Sequence, residues 1–242
     1  MKKLSIKRLI GAGFLLLGFG CTKVDNIPGP DSAFQGNIID SVTGKNLVTE
    51  TGGVQIELHQ LSWSDNPSPY DIPSKPDGTF EDTRIFSGHY SIIPIKGAFW
   101  PTDSILIDIK GNTTQDFKVV PYIEIVNVQH TQNADSLKVS FQMVAPRTVG
   151  MPRLMEARLF VNSTPIVGSG AFLQSYYNES SSVVSFGPTD WSDAIAATTY
   201  TLSVNQLQKG WTYHACIGVK LQDSYQKYDI SAPILVDLSG QK

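Results

Sequence analysis

The stretch Trp63-Ser64-Asp65-Asn66-Pro67-Ser68-Pro69-Tyr70 brings two aromatic rings, an acid and an amide into one proline-stiffened loop. Rings of this kind stack on the C–H faces of sugars, while neighbours such as Asp65 and Asn66 take the hydroxyls, so the loop is suited to a glycan. Phe99-Trp100-Pro101 forms a second aromatic loop. Tyr176 and Tyr177, with Phe172, Asn178 and a serine run, make a third, and Trp191 between Asp190 and Asp193 a fourth. The alternative for every one of these rings is that it folds down and covers a sheet edge. The expected ligand-binding set is therefore Trp63, Asp65, Asn66, Tyr70, Trp100, Tyr176, Tyr177 and Trp191.

Other chemistries leave little trace. His59, His89, His130 and His214 are scattered with no metal-ligand spacing, and no HExxH, CxxC, phosphate-binding glycine loop or GxSxG occurs. A glycosidase needs two carboxylates at a set separation across a cleft, which spacing alone does not reveal. Asp31, Asp65-Asn66 and Asp190 with Asp193 are too sparse for a calcium loop. The expectation is a chain with no catalytic residue, metal or cofactor.

The elements that position these loops read as strands. In Val54-Gln55-Ile56-Glu57-Leu58-His59 apolar and polar residues alternate, the period of a half-buried strand. Tyr90 to Ile95, Ile105 to Ile109 and Phe117 to Val120 continue the set, and Thr43-Gly44-Lys45, Pro76-Asp77-Gly78 and Ser87-Gly88 punctuate it with turns. Pro121-Tyr122 opens a second run: residues 123–128, 137–143, 157–161, 200–204, 212–219 and 229–238, with 149–155 and 169–182 less regular. Short strands with regular turns favour β-sandwiches.

Two resemblances sharpen this. Phe34-Gln35-Gly36-Asn37-Ile38-Ile39-Asp40, Thr43-Gly44-Lys45, Val54 to Leu58, Asp77-Gly78-Thr79-Phe80 and Gly88-His89-Tyr90-Ser91-Ile92 resemble, in order and spacing, the transthyretin-like, carboxypeptidase-regulatory-type domain. That resemblance implies a seven-strand sandwich serving as a spacer or binding module. Leu207-Gln208-Lys209-Gly210-Trp211-Thr212-Tyr213 looks like the tyrosine corner of immunoglobulin-like and fibronectin type III sandwiches, with the Tyr213 hydroxyl bonded to nearby backbone.

The N-terminus supplies an address. Lys2, Lys3, Lys7 and Arg8 precede an uncharged apolar stretch too short to span a bilayer, the pattern of a secretory signal. Gly20-Cys21 resembles the lipobox of bacterial lipoproteins, although Gly18 and Phe19 depart from its usual residues; the resemblance implies lipidation of Cys21. Cleavage after Gly20 removes four of the 19 basic residues and none of the 22 acidic ones, leaving 15 against 22, net −7. That charge argues against nucleic acid. Cys21 once acylated leaves Cys216 without a disulfide partner, and its setting reads as a buried strand.

The organisation expected is all-β: a signal peptide (1–20), a lipidated tether (21–32) carrying Pro28-Gly29-Pro30, a transthyretin-like sandwich (33–121) and an immunoglobulin-like sandwich (122–242). This order resembles an uncharacterised family of Bacteroidetes-type outer-membrane lipoproteins that accompany SusC/SusD-type glycan uptake systems. The resemblance implies a protein lipid-anchored in the outer membrane, facing the exterior (the periplasmic face being the alternative), that binds or presents an oligosaccharide or polysaccharide to such partners. A structural spacer or protein-interaction subunit is the second expectation, and a glycan hydrolase the third.

Overall fold

The computed structural model describes residues 28–240; the signal and Cys21 expectations fall outside them. The fold is all-β and sandwich-like. Among the described residues no helix is long and apolar enough to cross a membrane.

Strands β1 (Ser32–Asp40), β2 (Gln55–Gln60), β3 (Tyr70–Pro73), β4 (Thr79–Ile85), β5 (Gly88–Ile95), β6 (Ile105–Ile109), β7 (Asn112–Thr114) and β8 (Phe117–Val119) build the first sandwich. One sheet runs β3-β2-β5-β6; the other runs β4-β1-β7, with β8 also pairing with β1. Alternation does the folding: Ile56 and Leu58 of β2 and Tyr90 and Ile92 of β5 point inward, meeting Phe34, Ile38, Phe80 and Phe117 of the opposite sheet. The ring pairs Phe34–Phe80 and Phe80–Phe117 stand at centroid distances of 5.5 and 5.9 Å. Each such side chain, fully buried, contributes roughly 1.5–3 kcal/mol.

Eight strands stand where the resemblance implied seven, because β7 and β8 follow β1 in parallel as two short pieces. The break lies at Gln115–Asp116, where the carboxylate of Asp116 takes the backbone N–H of Asn37 at 2.8 Å. Gly36 permits the crossing: a Cβ there would lie 1.9 Å from the Gln115 carbonyl oxygen. The Asp77-Gly78 turn works as its sequence requires, with Gly78 at φ +77°.

The second sandwich holds β9 (Glu124–Asn133), β10 (Ser136–Val144), β11 (Leu154–Asn162), β12 (Val183–Thr189), β13 (Tyr200–Val204), β14 (Thr212–Leu221), β15 (Tyr228–Ile230) and β16 (Ile234–Asp237). A three-stranded sheet, β13-β10-β9, faces a larger one, β12-β11-β14-β15, with β16 pairing the start of β14. Leu137, Val139, Phe141 and Met143 of β10 are fully buried against Leu159, Ile217 and Val219. Short helices α1 (Gln174–Tyr177) and α2 (Asp193–Ala197) interrupt the loops. Strand β14 is buried on both faces, since Phe160, Cys216 and Tyr228 form a small outer cluster with Phe172 and Tyr177. Burial pushes the Cys216 thiol far up, as expected of a packed strand residue.

The tyrosine corner is present: the Gln208 N–H donates to the Tyr213 hydroxyl at 3.0 Å. Tyr213→Phe leaves that donor without its partner inside the fold. The expected cost is about 1–2 kcal/mol, read as a fall of roughly 2–6 °C in Tm by calorimetry.

The two cores meet through a pair of extended segments. The Trp100 N–H donates to the Val120 carbonyl at 2.9 Å and the Tyr122 N–H to that of Ala98 at 3.1 Å. Phe99 enters the first core, whereas Ala98, Tyr122 and Ile123 enter the second. Farther out, Glu50 accepts from the Ser169 hydroxyl at 2.8 Å and also from its backbone N–H.

Candidate functional site

The loop between β2 and β3 is pinned at its foot. The N–H groups of Leu61 and Ser62 both reach the His89 carbonyl, at 2.9 and 3.3 Å, and that of Trp63 reaches Gln60 at 3.1 Å. His89 N–H returns a bond to the Ser62 hydroxyl at 3.2 Å. Pinning the foot holds the indole of Trp63 out in solvent, 73% exposed. Tyr70, first residue of β3, is 51% exposed and donates its hydroxyl to Asp82. That hydrogen bond raises the Tyr70 pKa, the carboxylate holding the proton on the phenol.

Beneath the loop lies a cavity of about 200 Å³ with Tyr70 and Phe86 on its walls and Leu58 and Tyr90 among its apolar lining. Gln60, Ser68 and Arg84 supply its polar lining. Phe86 is 41% exposed, and its carbonyl is held by the Tyr90 hydroxyl at 2.7 Å. Asp65 and Asn66 are exposed on the loop above and do not line the cavity. This end is also where the chain enters: the Asp31 carboxylate accepts from the Ser87 N–H and hydroxyl at 2.8 and 2.9 Å, which lowers its pKa.

The remaining expected rings do not join this edge, and packing is the reason. Trp100 is half-buried at the junction, edge-on to Tyr122 at 5.3 Å, with the Arg147 guanidinium over its face at 4.6 Å. Tyr176 is 7% exposed and stands perpendicular to Tyr213, a core residue rather than a recognition ring. Tyr177 is stacked on Phe172 at 4.4 Å with Arg158 over it at 4.0 Å, so both ring faces are occupied. Trp191 packs partly against the second core. Spacing missed Phe86, Arg84 and Gln60. The apolar pair Ile85-Phe86 was the available signal for Phe86: Ile85 ends β4 buried, and Phe86 just beyond the strand is left exposed.

A second group of titratable residues lies at the junction, where Asp40, Glu124 and Asp229 line one cavity. Burial, and then the neighbouring Asp40, pushes Glu124 up to about 7; burial raises Asp229 well above the usual carboxylate range. The Ile123 N–H donates to Asp229 at 3.1 Å. Since Glu124 holds its proton more tightly folded than unfolded, its stabilising share is complete below pH about 4.5 and disappears as pH rises to about 7. Glu124→Gln is therefore expected to raise Tm at pH 8 and leave it unchanged near pH 4. Glu124 is only partly buried, so the gain is discounted to about 1 kcal/mol. Tm of both proteins across pH 4–8 checks it.

Fold and site together define a tandem β-sandwich protein with an aromatic-edged pocket at the free end of its first sandwich. Residues 32–120 match the family described as protein of unknown function (DUF3823), N-terminal domain. No curated protein matches the chain. Among solved structures, one from Bacteroides uniformis named as a candidate carbohydrate binding protein is 23% identical, with a TM-score of 0.75, 87% of this chain and 100% of that chain covered. A DUF3823 family protein from the same organism is 21% identical, with a TM-score of 0.73 and coverage of 86% and 99%. A DUF3823 family protein from Parabacteroides merdae is 20% identical, with a TM-score of 0.66 and coverage of 87% and 100%. At these identities the likeness is one of fold.

Proposed function

We propose that this protein is a non-catalytic glycan-binding protein that holds a neutral polysaccharide on the Trp63–Tyr70–Phe86 edge. One observation carries the reading: the exposed rings of Tyr70 and Phe86 line a cavity with Gln60, Ser68 and Arg84, under the pinned loop that carries the exposed Trp63. Exposed rings supply stacking faces, and the polar groups select hydroxyl geometry. The name given to the Bacteroides uniformis structure points the same way. We further assign the chain to the outer membrane, lipidated at Cys21 and facing the cell exterior, where it presents glycan to an uptake complex of the SusC/SusD type; the support is the lipobox-like Gly20-Cys21 and the tether of residues 21–32.

Native affinity electrophoresis in gels containing neutral plant and bacterial polysaccharides tests the binding. Retardation by at least one polymer is expected. A folded protein that none of them retards would sink the reading in favour of a spacer or protein-interaction subunit.

A further inference from the structure

The roomiest cavity among those described is a cleft of about 420 Å³ that belongs to neither sandwich alone. It lies beyond the other end of β5 from the aromatic edge, at Ile93, Pro94 and Ile95 and the Lys96 that follows them. One wall, with Lys96 and Thr102, comes from the first sandwich; the other, with Asp223, Ser224 and Tyr225, comes from the second. Buried Phe99 and Tyr122 contribute apolar lining between them. The volume lies within the roughly 300–1,000 Å³ of small-molecule sites, which favour domain interfaces.

Three features mark this cleft as more than a packing gap. Lys96 is a non-glycine residue in the left-handed region, φ +64°, and the turn sets its ammonium 2.6 Å from Asp71. Gln226, beside the opposite wall, is also left-handed at φ +49°, its N–H held by Asp223 at 2.6 Å. Conformations of this kind are strained and concentrate where a site needs them. The second feature is unused hydrogen-bonding capacity: the hydroxyl of Thr102, a residue of the cleft wall, is covered and has no partner among the described residues. The third is Tyr225, whose ring is 47% exposed on the cleft wall.

We infer that this cleft is a second saccharide site, which takes one or two sugar units of a neutral glycan between the two sandwiches. The charge selects the class: the Lys96 ammonium is already paired with Asp71 behind the wall and the Asp223 carboxylate lines the cleft, so an anionic ligand finds no net attraction. Vicinal hydroxyls suit the lining. One accepts from the Lys96 ammonium, its neighbour donates to Asp223, and the Thr102 hydroxyl reaches the ligand by a rotamer change. The Tyr225 face covers the sugar C–H surface. The ligand class rests on the glycan-binding reading above, but no residue of the aromatic edge takes part, so each claim can fail without the other.

The test is a titration of the mature, folded chain with D-glucose, D-galactose, D-mannose, D-xylose and L-arabinose and their α- and β-linked disaccharides, followed by saturation-transfer NMR. At least one of these sugars is expected to bind, with affinity falling about tenfold or more in both Lys96→Met and Tyr225→Ala. Tyr225 is about half exposed and belongs to neither core, so its variant is expected to fold as the wild type does. Trp63→Ala combined with Tyr70→Ala is expected to leave this binding unchanged while losing polymer retardation. Short-sugar binding that survives both cleft variants, or that disappears with the aromatic edge, overturns the proposal. So does a wild-type protein that retains polymer but binds none of these sugars.

Discussion

Replacing Trp63 and Tyr70 together by alanine is expected to weaken polysaccharide affinity by about 100-fold and to abolish retardation in the affinity gel. Aromatic side chains at the centre of a binding surface commonly contribute about 2 kcal/mol or more each. These rings are half-exposed or more before binding, so about 1.4 kcal/mol each, a factor of ten, is the conservative figure. Trp63 is 73% exposed and Tyr70 51%, so neither carries much of the core and stability is expected to stay within about 1 kcal/mol. Tyr70→Phe separates two contributions: it keeps the stacking face and removes the hydroxyl that donates to Asp82. Its affinity is expected to fall only a few-fold. Retardation undiminished in the double variant would show that the polymer binds elsewhere.

The reasons this edge was partly visible in the sequence, while other features were not, are physical. A strand announces itself through an alternation that any one-sided sheet imposes, so β2, β5 and β10 could be read directly. The tyrosine corner was legible because its partner, Gln208, is only five residues from Tyr213. Strand β12 is not among the strands the alternation predicts: it lies at a sheet edge, is mostly exposed, and carries Gly187-Pro188 near its end. Whether a ring is presented or packed depends on elements far away in the chain. Trp63 stays out because its loop is tied down at Ser62 and Leu61, whereas Tyr176 is drawn in against Tyr213. Nothing local distinguishes the two. The junction carboxylates are harder still: Asp40, Glu124 and Asp229 come from three distant segments, and their approach exists only once both sandwiches have closed.

That closure gives Trp100 the largest expected effect on stability. The indole stands where the chain passes from one core to the other, packed on the second core, edge-on to Tyr122 and covered by Arg147. Trp→Ala in a packed site costs about 3–5 kcal/mol through lost burial and the cavity left behind. Trp100 is only half-buried and its indole N–H has no partner among the described residues to lose, so about 2–3 kcal/mol is the expected figure. The loss falls at the contact between the cores and not within either, so the melt is expected to lose cooperativity, with the two sandwiches separating into resolved transitions by calorimetry. Trp100→Phe keeps a ring on Tyr122 and is expected to retain a single transition. The residue also bears on the cleft, because its chain neighbours Phe99 and Pro101 and its ring partner Tyr122 line it. Trp100→Ala should therefore weaken short-sugar binding while leaving polymer retention at the distant aromatic edge intact. A melt that shifts as one sharp transition would instead place Trp100 inside a single cooperative unit, with the two sandwiches folding together.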